Sequence, residues 1–274
     1  MSRLCRFLSD VKIRANDGYM DIATIFGLIV ALGAVVGAFK LEGGHLNAIF
    51  LLAPMTIVIG GTLGATIVTT SIDTVKRVPK YLWLALAGDE FSYEYAIDRI
   101  VRLAEKARRD GILGLEGELQ KITDPFFKKA VQLVIDGTEV TALREILETE
   151  AAYIEERHKK GIVFFQKAGG FSPTLGILGT VLGLVHTLGN TEDASRMASA
   201  IAAAFIATLW GVGLANLFFL PISDKLKLRH EQEMALLELT TEGVVAIQSG
   251  ENPRNIRSRL HSFIAPEHRM PGIL

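Results

Sequence analysis

Ser172, Pro173, Thr174, Thr180, His186 and Thr187, and then Thr208, Trp210, Asn216 and Pro221, are polar or backbone-breaking residues set inside two long apolar stretches. Hydroxyl and carbonyl oxygens are suitable ligands for a hard cation such as sodium, and a proline frees the carbonyl four residues before it to face a cavity. The same stretches hold no Asp, Glu, Lys or Arg. Ion conduction through a membrane usually needs an ionisable or strongly coordinating group at lipid depth, whatever its cost there. If these oxygens serve an ion, the acid that completes the pathway must come from elsewhere.

Each of these residues also has a plainer use. Ser and Thr in membrane helices commonly bond a carbonyl of the preceding turn, and taken singly Thr180 and Thr208 fit that use more readily than a ligand's. For His186 and Asn216 a hydrogen bond between helices is the simpler expectation. Only a particular arrangement of the oxygens would favour an ion pathway.

The elements that must position them are set by where hydrophobicity falls. Apolar stretches lie between Asp21 and Lys40, between Lys40 and Lys76 (thinned by Glu42 and Asp73), between Lys167 and Glu192, and between Arg196 and Asp224. Each is long enough to cross a hydrocarbon core of roughly 30 Å, so the sequence predicts an all-α integral membrane protein with four transmembrane helices. Residues 71–167 and 222–274 are strongly charged and belong in water, which predicts a cytoplasmic helical domain.

Of 29 Lys and Arg, 16 fall in 71–167, seven after 221 and four before 21, leaving only Lys40 and Arg196 for the two short loops. The positive-inside rule therefore puts both termini and the large loop in the cytoplasm, with 40–46 and 189–197 outside. A formal net charge of −1 argues against a nucleic-acid partner. The single Cys5 forms no intramolecular disulfide, and residues 1–19 lack the apolar core of a signal peptide. They read as a basic cytoplasmic prefix, with Met20 a candidate functional start.

Organisation along the chain follows: prefix 1–19, membrane helices one and two in 20–70, a helical cytoplasmic segment in 71–166, membrane helices three and four in 167–222, and cytoplasmic helices in 223–274. Span one, 22–39, carries Gly27, Gly33 and Gly37; span two, about 46–68, carries Pro54, Gly60, Gly61 and Gly64. Small residues at this spacing let helices approach closely in lipid, and helix packing is their expected role. Ser92 caps a predicted helix to about Arg109 that Gly111 ends, and Asp124–Pro125 opens another that stops at Asp136–Gly137. From Glu139 the apolar positions Val140, Leu143, Ile146, Leu147, Ala151 and Ile154 predict one long helix running toward span three, and a counterpart follows span four from about Ser223 to Gln248.

The segments FSPTLGILGTVLGLVHTLGN, ASAIAAAFIATLWGVGLANLFFLPISDKL and LAEKARRDGILGLEGE together resemble the MotA/PomA family of bacterial flagellar motor stator subunits. So do MDIATIFGLI in span one, LVIDG in the loop and AIQSGENPRNI in the tail, so that the likeness runs from Met20 to about Ile264. The resemblance implies a homo-pentamer around two copies of a single-span partner, MotB or PomB, whose transmembrane aspartate carries the ion and so supplies the missing acid. It implies conduction roles for Pro173 and Pro221, and places Thr180 and Thr208 where sodium-type stators set threonines facing that aspartate. Proton-type members often have alanine at the Thr180 position, so the transported ion reads as sodium or proton, leaning to sodium. No cofactor and no fixed metal are implied.

A run such as Glu105, Lys106, Arg108, Arg109 and Asp110 is ordinarily a solvated helix end. On the resemblance, Arg108 and Glu116 occupy positions whose opposite charges engage the rotor protein FliG, Arg109 extends the basic patch, and Arg254 matches a further family charge. Gly117 and Leu119 depart from the sodium-type pattern, where acids often stand, and Glu118 is the candidate to compensate. The expectation is an ion-driven motor subunit of the inner membrane and not an enzyme. An energy transducer of the ExbB/TolQ type is the nearest rival, separated by its three spans with the large loop after the first. A solute transporter would show inverted repeats, which are not visible here. A purely structural scaffold would leave Thr180, Thr208 and the loop charges without purpose.

Overall fold

Asp21 opens the first helix by accepting hydrogen bonds on its carboxylate from the Ala23 and Thr24 amides at 3.0 and 3.4 Å and from the Thr24 hydroxyl at 2.9 Å. In the computed structural model, which describes residues 21–87, 92–189 and 194–264, the elements are α1 (Ile22–Leu41), α2 (Leu52–Val68), α3 (Ile72–Leu86), α4 (Tyr93–Asp110), α5 (Pro125–Ile135), α6 (Val140–Leu188), α7 (Ala194–Leu214), α8 (Leu220–Gln248) and α9 (Pro253–Leu260). Short 3-10 and helical turns intervene at Leu46–Ala48, Ile112–Leu115, Glu116–Leu119 and His261–Phe263. The prefix 1–19 and residues 190–193 of the second short loop lie outside the described residues.

The second span differs from its expected start near residue 46. Leu46–Ala48 is one 3-10 turn, Leu51 is extended, and α2 begins only at Leu52. Pro54 explains the late start: in a first turn its missing N–H costs nothing, whereas deeper in a helix it would remove a bond to the residue four before. Thr56–Gly60 within α2 is a π-turn, and a second, Ala215–Phe219, joins α7 to α8. Among the described residues three helices are long and apolar enough to cross a membrane, Ile22–Leu41, Val140–Leu188 and Met197–Gln248; Leu52–Val68 is apolar but shorter.

The chain divides into two compact units. One, residues 18–88 and 158–228, is apolar. Its tight interior is small: Tyr81 and Ala85 of α3 pack with Phe164, Phe165 and Ala168 of α6 and with Phe219, Ile222 and Leu226. Gly161 makes this possible, since a Cβ there would stand 2.9 Å from the Tyr81 ring. Much of the unit's apolar surface is open, including Phe26, Leu52, Ile177 and Phe205, and no residue of α1 is buried. An apolar surface of this extent is compatible with lipid or protein around it and not with water.

The other unit takes in residues 89–157 and 229–274. It buries large aliphatics in the manner of a water-soluble domain: Ile97, Ile100 and Leu115 with Leu143, Leu147, Leu239, Ile256 and Leu260. Its helix starts at Ser92 and Asp124 are capped as the sequence predicts, and Asn252 caps a further one. Ser92 Oγ accepts from the Tyr95 amide at 3.2 Å, Asp124 Oδ1 from Phe127 at 2.7 Å and Asn252 Oδ1 from Arg254 at 3.1 Å. Gly111, Gly137 and Gly250 end helices at φ of 78°, 71° and 70°, a backbone that costs a side-chain-bearing residue energy. Arg144, Glu242, Arg259 and Glu251 form a chain of ion pairs linking α6, α8 and α9, and Arg257 pairs with Asp98 at 2.9 Å. The Arg144 guanidinium, with desolvation opposing and Arg259 assisting, holds the Glu242 carboxyl below its usual range.

Candidate functional site

Between α6 and α7 the backbones come close enough that side chains would not fit. A Cβ on Gly211 would lie 2.7 Å from the Ser172 carbonyl and 2.8 Å from the Gly176 Cα, and one on Gly176 would lie 2.9 Å from the Ala207 carbonyl. Gly179 faces Ala207 and Gly183 faces Ala204 in the same way, at 2.8 Å each. Buried Ser172 fastens this seam by donating to the Gly211 carbonyl at 2.9 Å. Close helix approach through small residues was expected of spans one and two. Gly27, Gly33, Gly37, Gly60 and Gly64 instead meet nothing within 4 Å, and only Gly61 has a neighbour, Leu175, at 3.2 Å. Sequence reasoning missed this seam, whose signal is the matching rows Gly176, Gly179 and Gly183 against Ala204, Ala207 and Gly211.

That close approach sets the geometry of the threonines. Thr180 Oγ1 lies 2.5 Å from Thr208 Oγ1, 3.1 Å from the Gly176 carbonyl and 3.0 Å from the Ala204 carbonyl. Thr180 therefore does both things weighed for it: it reaches back to its own helix and across to the next. The two hydroxyls share two protons among four oxygens, and the carbonyls only accept. Acceptor capacity is in excess, so the cluster is electronegative and favours a cation or an added proton donor. Oxygen-only coordination is what a hard cation takes.

The other residues divide. Thr174 and Thr187 bond carbonyls of their own helix, Phe171 at 2.8 Å and Gly183 at 2.7 Å. Asn216, expected to join helices, donates to Val212 in its own helix at 2.9 Å, at the edge of the π-turn. Trp210 is the inter-element tie instead: its indole N–H donates to the Ile49 carbonyl at 2.7 Å, and its ring stands 5.6 Å from that of Phe50. Pro173 lies within α6, and Pro221 is the second residue of α8, two after the π-turn of Ala215–Phe219. His186 is exposed near the end of α6. Sequence reasoning passed over Thr62, which is fully buried and whose hydroxyl has no hydrogen-bond partner among the described residues.

In the polar unit Arg108, Arg109 and Glu116 are exposed around the turn that follows α4. Arg109 pairs with its neighbour Asp110 at 3.1 Å. Glu118 differs from Glu116, because Lys106 at 2.8 Å and Lys121 at 3.1 Å both hold it. Those contacts, Lys106 first, lower its carboxyl below the usual range. Arg254 is exposed at the start of α9.

Apolar helices joined through a backbone seam that holds a cluster of hydroxyl and carbonyl oxygens fit the class of helical membrane channel subunits. The chain belongs to the MotA/TolQ/ExbB proton channel family, whose model matches residues 118–239, and a second model, Motility protein A N-terminal, matches residues 25–111. It is 36% identical over 250 residues to Motility protein A of Borreliella burgdorferi, covering 91% of this chain and 96% of that one. To Chemotaxis protein PomA of Vibrio alginolyticus it is 35% identical, covering 89% and 96%. The fold matches a chain of the flagellar MotAB stator complex from Bacillus subtilis with a TM-score of 0.85 at 31% identity, covering 90% of this chain and 97% of that one. Within the wider family it is a MotA/PomA-type flagellar stator subunit, and no enzymatic family is indicated.

Proposed function

We propose that this chain forms, with a single-span partner of the MotB/PomB type, an inner-membrane ion channel whose ion flow turns the flagellar rotor, and that Thr180 and Thr208 line the ion's path. The observation that carries the reading is the 2.5 Å contact between these hydroxyls beside the Gly176 and Ala204 carbonyls. Four spans run with both termini cytoplasmic, on the charge asymmetry given above. Five copies surround a partner dimer, whose aspartate meets the oxygen cluster and takes the ion. The Thr208 hydroxyl, turned from Thr180 to the arriving ion, replaces part of its hydration, and neutralising the aspartate releases the ring to step. Pro173 in α6 and Pro221 at the start of α8 free backbone carbonyls and give the chain room to bend there.

Arg108, Arg109 and Glu116 press on the rotor protein FliG. One charge crossing 100 mV yields only about 2.3 kcal/mol, so each step breaks contacts that are individually weak, and exposed charges meet that need. Glu118 serves through its neighbours, holding Lys106 and Lys121, and Arg254 adds a further exposed charge. The ExbB/TolQ reading is less supported, because the motility-specific N-terminal model and the motility relatives both favour a flagellar subunit.

The ion is sodium in this proposal. Swimming speed is to be followed against sodium at fixed pH in cells whose only stator contains this chain, with Thr180→Ala alongside. Speed that rises with sodium and is lost in the variant is the expected result. Speed indifferent to sodium but abolished when the proton gradient collapses would overturn sodium and return Thr180 to helix packing.

A further inference from the structure

Trp210 stands two residues after Thr208 on α7, which turns it away by about 200° of helix rotation. Around the helix between them lies the row Ala204, Ala207 and Gly211 that meets α6. Thr208 therefore flanks the seam on one side and Trp210 on the other. Small residues let two backbones lie close, but they carry nothing that resists the roll of one helix against its neighbour. A roll of α7 would carry Thr208 Oγ1 with it and open its 2.5 Å contact with Thr180.

On the flank away from Thr208, Trp210 meets an open backbone acceptor. The Ile49 amide closes the 3-10 turn on the Leu46 carbonyl at 3.1 Å, and α2 starts only at Leu52. The Ile49 carbonyl thus falls between two helical turns, and among the described residues no backbone N–H reaches it. The Trp210 indole N–H fills it at 2.7 Å, with the Phe50 ring 5.6 Å from the indole. Ile49 is itself held. Three residues later α2 begins, and α2 is seated on α6: Leu175 lies 3.2 Å from the Cβ position of Gly61, and Ile57 3.5 Å from that of Gly179. The path from α6 through α2 and Ile49 to Trp210 closes on α7 from the flank opposite Thr208.

We propose that Trp210 is a positioning residue for the ion path: its indole N–H, clasped to the Ile49 carbonyl, fixes the roll of α7 and so keeps the Thr208 hydroxyl beside Thr180 for the arriving cation. The inference rests on reading Thr180 and Thr208 as lining that path. Oxygens already held in place bind a cation more tightly than oxygens that must first be ordered. Trp210 therefore sets the affinity for the ion and not the speed reached when the ion saturates.

The test follows swimming speed against sodium at fixed pH in cells whose only stator contains this chain, with the stator units at each motor counted through a fluorescent fusion of the partner. Trp210→Phe keeps a ring and removes the N–H; Phe50→Leu removes the ring contact and keeps the N–H bond. Trp210→Phe should raise the half-saturating sodium concentration about threefold, the equivalent of the roughly 0.6 kcal/mol of an average hydrogen bond between membrane helices. Saturating speed and stator number should stay as in the wild type, and Phe50→Leu should leave half-saturation unmoved. An unshifted half-saturation in Trp210→Phe would overturn the proposal, and a fall in stator number or saturating speed without that shift would mark a packing role in its place. An equal shift in both variants would overturn the clasp in favour of ring stacking. Wild-type speed indifferent to sodium would bring down the sodium reading of the site together with this inference, whereas a sodium-dependent wild type beside an unshifted Trp210→Phe removes only the inference.

Discussion

Span one and span three both carry rows of glycine, yet within one chain only the second row is in contact. Gly27, Gly33 and Gly37 of α1 have nothing within 4 Å, while Gly176, Gly179 and Gly183 of α6 are pressed against Ala204, Ala207 and Gly211. Lipid offers no hydrophobic drive between helices, so within the chain a glycine draws helices together where a second row of small residues and a polar fastening answer it. Ser172 and the paired threonines supply that fastening to α6. The same contrast separates the two units. The polar one gains from burying Leu143, Leu147 and Leu260 away from water, and the apolar one from close backbones and matched hydrogen bonds.

The largest expected break in this comparison comes from Gly211→Val set against Gly33→Val. The first forces a side chain into the Ser172 carbonyl and the Gly176 backbone, neither of which can swing aside. Overpacking of this kind costs roughly 1–3 kcal/mol or more, and motility and the unfolding temperature of the solubilised complex should both collapse. The second should leave the unfolding temperature of the chain purified without its partner unchanged. An equal loss in both would erase the distinction.

A smaller effect belongs to the polar unit. Glu242 is held below its ordinary value of 4.5 chiefly by Arg144, so this pair contributes stability above that pH and loses it as pH falls through the lowered value. Thermal unfolding followed between about pH 5 and pH 3 should therefore show an acid loss that Arg144→Leu reduces. An unchanged slope in the variant would assign the acid sensitivity to other groups, such as Glu118.

The smallest change tests the fastening itself. Ser172→Ala removes one hydrogen bond between α6 and α7, a contact worth about 0.6 kcal/mol on average within membranes. A slightly lower unfolding temperature with motility retained is expected. Complete loss of motility would make Ser172 part of the ion path and not of the seam.

Caps and stops were readable because they are local: Ser92, Asp124, Gly111 and Gly137 act within a few residues of themselves. The unbroken run from Val140 to Leu188 was legible in part, since the periodicity announced the helix but could not show it continuing through Gly169, Gly170 and Pro173. Thr180 and Thr208 were singled out as oxygen-bearing residues and then on resemblance, and their 2.5 Å contact depends on two rows of small residues meeting across 28 residues of sequence. The late start of α2 was missed because Pro54 sits amid uninterrupted hydrophobicity, where composition alone does not distinguish helix from a turn leading into one. Helix α3 was not singled out within the charged segment 71–166, because its buried side, Tyr81 and Ala85, is short and acquires meaning only against Phe164 and Phe165.

The π-turn at Ala215–Phe219 has a geometric consequence of its own. A helix advances its face by about 100° with each residue, and a π-turn accommodates one residue more than an α-turn does. Thr208 on one side of it and the packed face of Ile222 and Leu226 on the other are thereby set in separate angular registers. The span is therefore two helical halves whose faces are offset across the turn by about one residue, roughly 100°.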